Sequence, residues 1–310
     1  MQGVSGRNNA GGRVEGRKEF SSWAAIAIAG GVLLANASPA AAVSPYLPNY
    51  GQLLVTSGAV YQSYDQAWQG KNFNNYALNT RIHEARLGVA YGLSDRWAID
   101  INGGYGWLDG GLGSSGQNPI PQGTRDGFLD TRIGVRYGLF KEDSNVWDSI
   151  PTVALYAGGT IEGNYYPEPQ ALGDGSSGAE VGFGIGRYWS AIDFGVTLEL
   201  SYNWYTNYVP DALNGSVSAV KAFGPWFISG AYRFERSLSG WDTGQSSLPR
   251  IDAAVGRQEN YELWEVGGGY TTESGTTIQG AYSDVFDGRN TAKRETFQLY
   301  VTFPTQLVKN

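Results

Sequence analysis

The sequence predicts an all-β chain, folded as a transmembrane, antiparallel, up-and-down β-barrel of about 12 strands. Three observations predict it. From residue 52 onward, short segments alternate strictly between apolar and polar residues. Gly, Asn, Asp and Pro separate these segments. Trp and Tyr gather at segment ends rather than at their centres. Alternation with a period of two gives each strand one stripe per face. A dry outer stripe and a wet inner one suit a barrel closed in lipid, where every backbone amide finds a neighbouring strand.

The N-terminus follows a different logic. Arg7, Arg13, Arg17 and Lys18 precede an apolar stretch from Trp23 to Ala35, and Ala40-Ala41-Ala42 comes next. That order is the order of a secretory signal peptide cleaved near Ala42. The apolar run is shorter than the roughly 20 residues of a spanning helix. The expected organisation is a cleaved signal over 1–42, a periplasmic or lumenal segment over 43–51, the barrel over 52–303 and a tail over 304–310. The expected location is the outer membrane of a Gram-negative bacterium.

The strands are clearest at 97–107, 129–139 and 192–205. In the first, Trp97, Ile99, Ile101, Tyr105 and Trp107 oppose Ala98, Asp100 and Asn102. In the second, Leu129, Ile133, Val135, Tyr137 and Leu139 oppose Asp130, Arg132 and Arg136. In the third, Phe194, Val196, Leu198, Leu200, Tyr202 and Trp204 oppose Thr197, Glu199, Ser201 and Asn203. Weaker alternation marks 52–65, 76–91, 152–162, 178–189, 215–223, 226–236, 260–270, 276–284 and 295–303. Connections are short at 92–96, 189–191, 223–225 and 271–275, and longer at 109–127, 163–177 and 237–259. Short periplasmic turns opposite long outer loops are the asymmetry of outer-membrane barrels. The long stretch 140–150 departs from it.

The aromatics separate a membrane barrel from a soluble sandwich. Ten residues at a rise of ~3.3 Å, tilted ~40°, span about 25 Å along the axis, the height of an apolar band between two girdles. Trp97, Tyr137 and Trp226 are assigned to one girdle, with Tyr91, Tyr188 and Tyr270; Trp107, Trp204 and Trp264 are assigned to the other. In a soluble sandwich, aromatics cluster mid-strand, where burial is deepest.

By the same parity the lumen face carries Arg86, Asp100, Asp130, Arg132, Arg136, Tyr156, Glu180, Glu199, Arg233, Glu235 and Glu265. Charges of both signs either brace the wall in pairs or filter solutes. In the second case Arg132, Arg136 and Arg233 face Glu180, Glu199 and Glu235 across a constriction. Inward Gly134, Gly138, Gly182, Gly184 and Gly186 leave room for a narrow passage. Tyr165, Tyr166 and Leu172 make one outer loop apolar, and Tyr46, Leu47 and Tyr50 do so for the N-terminal segment. Each of these is either surface packing or a plug and capture site within the lumen.

Other chemistries find little support. The chain has no Cys, which removes disulfides and thiolate metal sites, and nothing else points to a metal or a cofactor. A net charge of −7 opposes a nucleic-acid partner, because phosphate neutralisation needs a basic face. A Ser–His hydrolase would need His83, the single histidine, which stands at a strand end. No catalytic residue is assigned. The expected partners are outer-membrane lipid and a small-molecule solute, and the expected state is a monomer.

Several stretches resemble a known family. They are Tyr91-Gly-Leu-Ser-Asp-Arg-Trp97, Asp130-Thr-Arg-Ile-Gly-Val-Arg-Tyr137, Pro151-Thr-Val-Ala-Leu-Tyr156 and Leu172-Gly-Asp-Gly175. The pattern is similar to outer-membrane transporters of the phenol meta-degradation type, and distantly to fatty-acid and toluene uptake channels. The resemblance implies a channel passing small hydrophobic or aromatic molecules by diffusion. The alternative is a non-conducting structural or adhesive barrel acting through its outer loops.

Overall fold

The computed structural model describes residues 44–74, 79–110, 125–142, 150–165, 172–173, 175–242 and 257–308. They form β1 (Gln52–Tyr64), β2 (Ala67–Gln69), β3 (Asn72–Asn74), β4 (Thr80–Gly92), β5 (Trp97–Asp109), β6 (Arg125–Phe128), β7 (Thr131–Phe140) and β8 (Thr152–Ile161). Then follow β9 (Gly178–Trp189), β10 (Phe194–Tyr205), β11 (Ala212–Phe223), β12 (Trp226–Ser237), β13 (Asn260–Thr271), β14 (Thr277–Arg289) and β15 (Glu295–Gln306). Thirteen of these strands make one antiparallel sheet, and β1 pairs with both β15 and β4, so the sheet closes. β6 and β7 both pair with β5 and are two lengths of one stave, which makes a barrel of twelve staves.

Chain chemistry sets the turns. Phe223 pairs with Trp226, leaving a two-residue turn in which Gly224 takes φ +63° and Pro225 follows. Glycine meets no steric penalty there, and proline already has the negative φ of the second position. This turn, 93–96, 190–193 and 272–276 lie at one end of the barrel, with the start of β1 and the end of β15. We call it the inner end.

Burial follows parity along the staves. In β5, Ala98 and Asp100 are buried while Trp97 and Ile101 are exposed. The outward set includes Leu198 at 42 % exposure, Val217 at 47 % and Ile228 at 57 %. Folded soluble monomers rarely leave a continuous apolar belt uncovered. Facing hydrocarbon, the same belt has no such cost. Aromatic rings pair along both rims of the belt. Trp97–Tyr137 and Trp226–Tyr270 do so toward the inner end, with centroids 4.7 and 4.8 Å apart. Tyr202–Trp204 and Trp264–Tyr282 do so toward the outer end.

The structure corrects several expectations. Leu129 points into the lumen rather than toward lipid, and is buried. Phe128 pairs with Tyr105 but Arg132 pairs with Asn102, so one extra residue lies in this stave between β6 and β7. A bulge of that kind shifts parity by one, and strict alternation could not reveal it. Tyr188 falls on the lumen parity of β9 with Glu180, and its ring lies beside Gly195. β11 begins at Ala212, β14 runs on to Arg289 and β15 to Gln306. The β2–β3 hairpin went unseen in the sequence. Trp68 of β2 donates its backbone N–H to the Thr291 carbonyl at 2.8 Å and packs on Tyr261, Leu263 and Val285.

Candidate solute path

The middle of the lumen is a belt of ion pairs. Arg136 makes a two-pronged contact with Asp100, through Nε at 2.6 Å and Nη2 at 2.7 Å. Arg132 pairs with Glu180 and also donates to the Tyr156 hydroxyl at 3.3 Å. Arg86 donates to Glu84 at 2.5 Å, and Gln62 donates to the other oxygen of Glu84 at 2.7 Å. Arg233 lies 3.6 Å from Glu265, which accepts from Gln298 at 3.0 Å. Glu199 accepts from Ser216 at 3.0 Å.

These partners differ from those expected in part. Arg132 does meet Glu180. Arg136 is paired with Asp100 and Arg233 lies against Glu265, each on the neighbouring stave rather than across a constriction. Asp100 and Glu265 stand on staves adjacent to those of their arginines, within side-chain reach, whereas Glu199 on β10 is three staves from Arg136 on β7. The pairs therefore run along the wall, and opposite sides of the lumen are not bridged by them. Glu235 stands on the same inward parity of β12 as Arg233.

Inward glycines leave less room than expected. A Cβ on Gly134 would lie 2.4 Å from the Tyr156 ring, and one on Gly158 2.2 Å from its hydroxyl. Gly134 and Gly158 are cross-strand partners, so their bare backbones form a shelf on which Tyr156 lies flat. Arg132 covers the ring from above at 5.5 Å. Gly186 is covered too, by Pro45 and the Tyr46 hydroxyl at 2.8 and 2.7 Å from where its Cβ would be.

That last contact belongs to an inner plug. Ser44 and Pro45 are fully buried. Arg136 Nη1 donates to the backbone carbonyls of Tyr46 at 2.7 Å and Ser44 at 3.3 Å. The Asn49 carbonyl would meet a Cβ on Gly92 at 2.0 Å. The segment thus crosses the inner end from β9 to β4, passing β7. Arg136 serves both the wall and the plug.

A second inserted segment lies toward the outer end, against the wall of β1, β4, β5 and β6. Tyr165 and Leu172 leave their loop and join Tyr64, Ile82, Leu108 and Leu129 in a buried apolar cluster. Tyr165 donates its hydroxyl to Asp130 at 2.6 Å and accepts from the Gly175 amide at 2.8 Å. The Gly163 amide donates to the same Asp130 oxygen at 2.8 Å. Tyr166, read with this loop, lies outside the described residues. One signal for the cluster was present in the chain. Ile82 and Leu108 stand on the lumen parity of β4 and β5, so an apolar cap awaited them. The inner segment had a signal of composition alone: Tyr46, Leu47 and Tyr50 make it apolar, but 44–49 follows no periodicity.

The remaining assignments fall on the outer surface. Trp97, Trp107, Tyr137, Trp204, Trp226 and Trp264 all stand on the outward parity of their strands. His83 is there as well, between Tyr61 at 5.1 Å and Trp107 at 5.7 Å, in a row along paired strands. A histidine inside an outward aromatic row has no access to a lumenal solute. The start of the long inner turn is tied down, as Glu142 accepts the Tyr188 amide at 3.0 Å.

No family profile and no curated protein matches the chain. Solved structures do. The chain is similar to the COG4313 outer membrane channel from Pseudomonas putida F1, at 12 % identity and a TM-score of 0.67, over 84 % of this chain and 97 % of that one. Looser likenesses join it to the NanC porin (11 % identity, TM-score 0.48, 81 % and 98 %) and to the CymD monoaromatic hydrocarbon channel (11 %, 0.41, 84 % and 90 %). Those two are too loose to bear on function. The closed twelve-stave sheet, its outward apolar belt and the first of these likenesses together make the fold that of an outer-membrane β-barrel.

Proposed function

We propose that this protein is an outer-membrane channel through which small hydrophobic or aromatic molecules pass by diffusion. The observation that carries the reading is the lumen itself. Its charges are paired along the wall, and toward each end a short apolar segment is drawn into it on a few hydrogen bonds. A purely structural barrel has no need of apolar segments drawn into its lumen. The likeness to a solved outer membrane channel supports the same reading.

In this reading Tyr165, Tyr166 and Leu172 capture an apolar solute at the outer mouth, where Tyr64, Ile82, Leu108 and Leu129 already offer a dry surface. Arg86, Asp100, Asp130, Arg132, Arg136, Tyr156, Glu180, Glu199, Arg233, Glu235 and Glu265 line the way down. The apolar belt and its girdle residues sit in outer-membrane lipid, and the exported chain acts as a monomer after cleavage near Ala42. The preference for aromatic solutes rests on the resemblance to the phenol meta-degradation type. Liposome swelling with phenol and toluene tests the proposal. Permeability above that of empty vesicles is expected. None above background, with no conductance steps in planar bilayers, leaves the structural or adhesive barrel as the better account.

A further inference from the structure

The β2–β3 hairpin lies over the outer part of the lumen and is built as a separate piece. It contributes no strand to the barrel sheet. It turns at Gly70, which takes φ +58°, and pairs Trp68 with Phe73. A two-stranded hairpin alone is marginal in water, so this one owes its order to what it docks on. Trp68 packs on Tyr261, Leu263 and Val285, on the lumen face of β13 and β14. Ala67 and Ala292 pack on the cluster that holds Tyr165 and Leu172. The hairpin therefore bridges two apolar patches on different sides of the lumen.

Its backbone is tied to the connection between β14 and β15. The Trp68 amide donates to the Thr291 carbonyl at 2.8 Å, the Lys293 amide to the Gln66 carbonyl at 2.9 Å and the Asn290 amide to the Gly70 carbonyl at 3.1 Å. The Asn290 side chain completes the tie. Its Oδ1 accepts the Gly70 amide at 2.7 Å. Its Nδ2 donates to Asp242 at 2.8 Å and to the Gln258 carbonyl at 2.9 Å. One buried amide thus joins the hairpin, the β14–β15 connection and the β12–β13 connection. Asn290 also holds φ +52°. Among the described residues, Asn79, Asp193 and Asn207 share a positive φ, and all three are exposed, whereas Asn290 is 1 % exposed. A left-handed backbone at a residue other than glycine persists where its surroundings fix it.

We propose that this hairpin is a lid latched by Asn290, and that an apolar solute enters the lumen when it lifts. The inference deepens the channel reading and rests on it. Lifting breaks no rung of the wall, because the hairpin is a sheet of its own. It withdraws Trp68 from Tyr261, Leu263 and Val285 and takes Ala67 off the Tyr165 cluster, so both apolar patches are bared in one movement. Small elements with few buried contacts open in this way as units, well below the free energy of global unfolding.

Two variants push the lid in opposite directions. Asn290→Gly keeps the backbone angle, which glycine adopts without penalty, and deletes the three side-chain bonds. Ala67→Cys with Ala292→Cys locks the lid. The two alanines form an antiparallel bridge whose hydrogen bonds flank it, so their Cα atoms stand about 4.5 Å apart, within disulfide reach. The chain has no other cysteine to compete. The gel shift on boiling checks that each variant folds. Lid position is read by trypsin at Lys71, beside Gly70 in the turn, because cleavage needs the segment off its seat. Asn290→Gly should speed that cut about tenfold or more, and oxidation of the cysteine pair should slow it until a reductant is added. Passage is read separately in planar bilayers, where open time should rise with Asn290→Gly and fall reversibly on oxidation. A cutting rate unchanged by Asn290→Gly overturns the latch. A conducting barrel indifferent to oxidation overturns the lid and leaves the hairpin a fixed roof. No conductance in any form, with the cutting rates shifted as expected, sinks the channel reading and keeps the moving hairpin.

Discussion

Release of the inner plug is the sharpest consequence of the geometry. Arg136 holds Asp100 with one edge and the carbonyls of Ser44 and Tyr46 with Nη1. Replacing it alone would leave Asp100 as an uncompensated buried charge, at a cost of about 3–5 kcal/mol, and confuse gating with folding. The better perturbation is Arg136→Gln with Asp100→Asn, which removes both charges together. A hydrogen bond from a charged donor contributes about 1.5–3 kcal/mol. The 2.7 Å bond to Tyr46 counts fully and the 3.3 Å bond to Ser44 only in part. Together they favour the seated segment by about 2–4 kcal/mol. At 1.4 kcal/mol per factor of ten, the ratio of seated to released plug should fall by roughly 30- to 1,000-fold. Planar-bilayer recordings should show a longer open dwell, and protease should cut at 44–49 in the double variant first. A double variant that folds normally, conducts like the parent and resists protease equally would refute the latch.

Three further predictions follow from single contacts. Tyr165→Phe removes the bonds to Asp130 and Gly175 and should loosen the outer plug by about 1–2 kcal/mol, read as faster proteolysis around residue 165. Gly134→Val forces a side chain into the Tyr156 ring and should cost about 1–3 kcal/mol, lowering the temperature at which the folded gel band is lost. Gly138→Ala, where the nearest atom is 3.8 Å away, is the neutral control. Leu198→Arg places a cation on the outward belt midway between the Trp189–Phe194 and Tyr202–Trp204 pairs. It should cost about 2–4 kcal/mol in urea titrations of the barrel refolded into vesicles. A cost near zero would count against lipid contact at that height.

Much of the wall was legible in the chain because facing is a local property. Each side chain points opposite to its neighbour, so Trp97 and Asp100 declare their sides without knowledge of any other strand. The inward charges and the outward aromatics were readable for that reason. The limit appears at Leu129, where one inserted residue reverses the parity and nothing in the apolar pattern records it. Pairing was legible only where parity happened to coincide with register. Of the arginines and glutamates expected to face one another across a constriction, Arg132 meets Glu180, while Arg136 and Arg233 pair with Asp100 and Glu265 on neighbouring staves.

The sequence by itself determined the alternation, hence a closed sheet with a dry outside, because period two is written residue by residue. Tertiary structure decided that the two apolar segments enter the lumen rather than pack on the surface, and what each meets there. Ser44–Asn49 has no periodic pattern, and it becomes a plug only when the Arg136 guanidinium and the bare backbone of Gly186 face it across space. Tyr156 fills the place above Gly134 because register sets Gly134 opposite Gly158. Those matches depend on stagger and closure around the whole barrel, which no local stretch of sequence encodes.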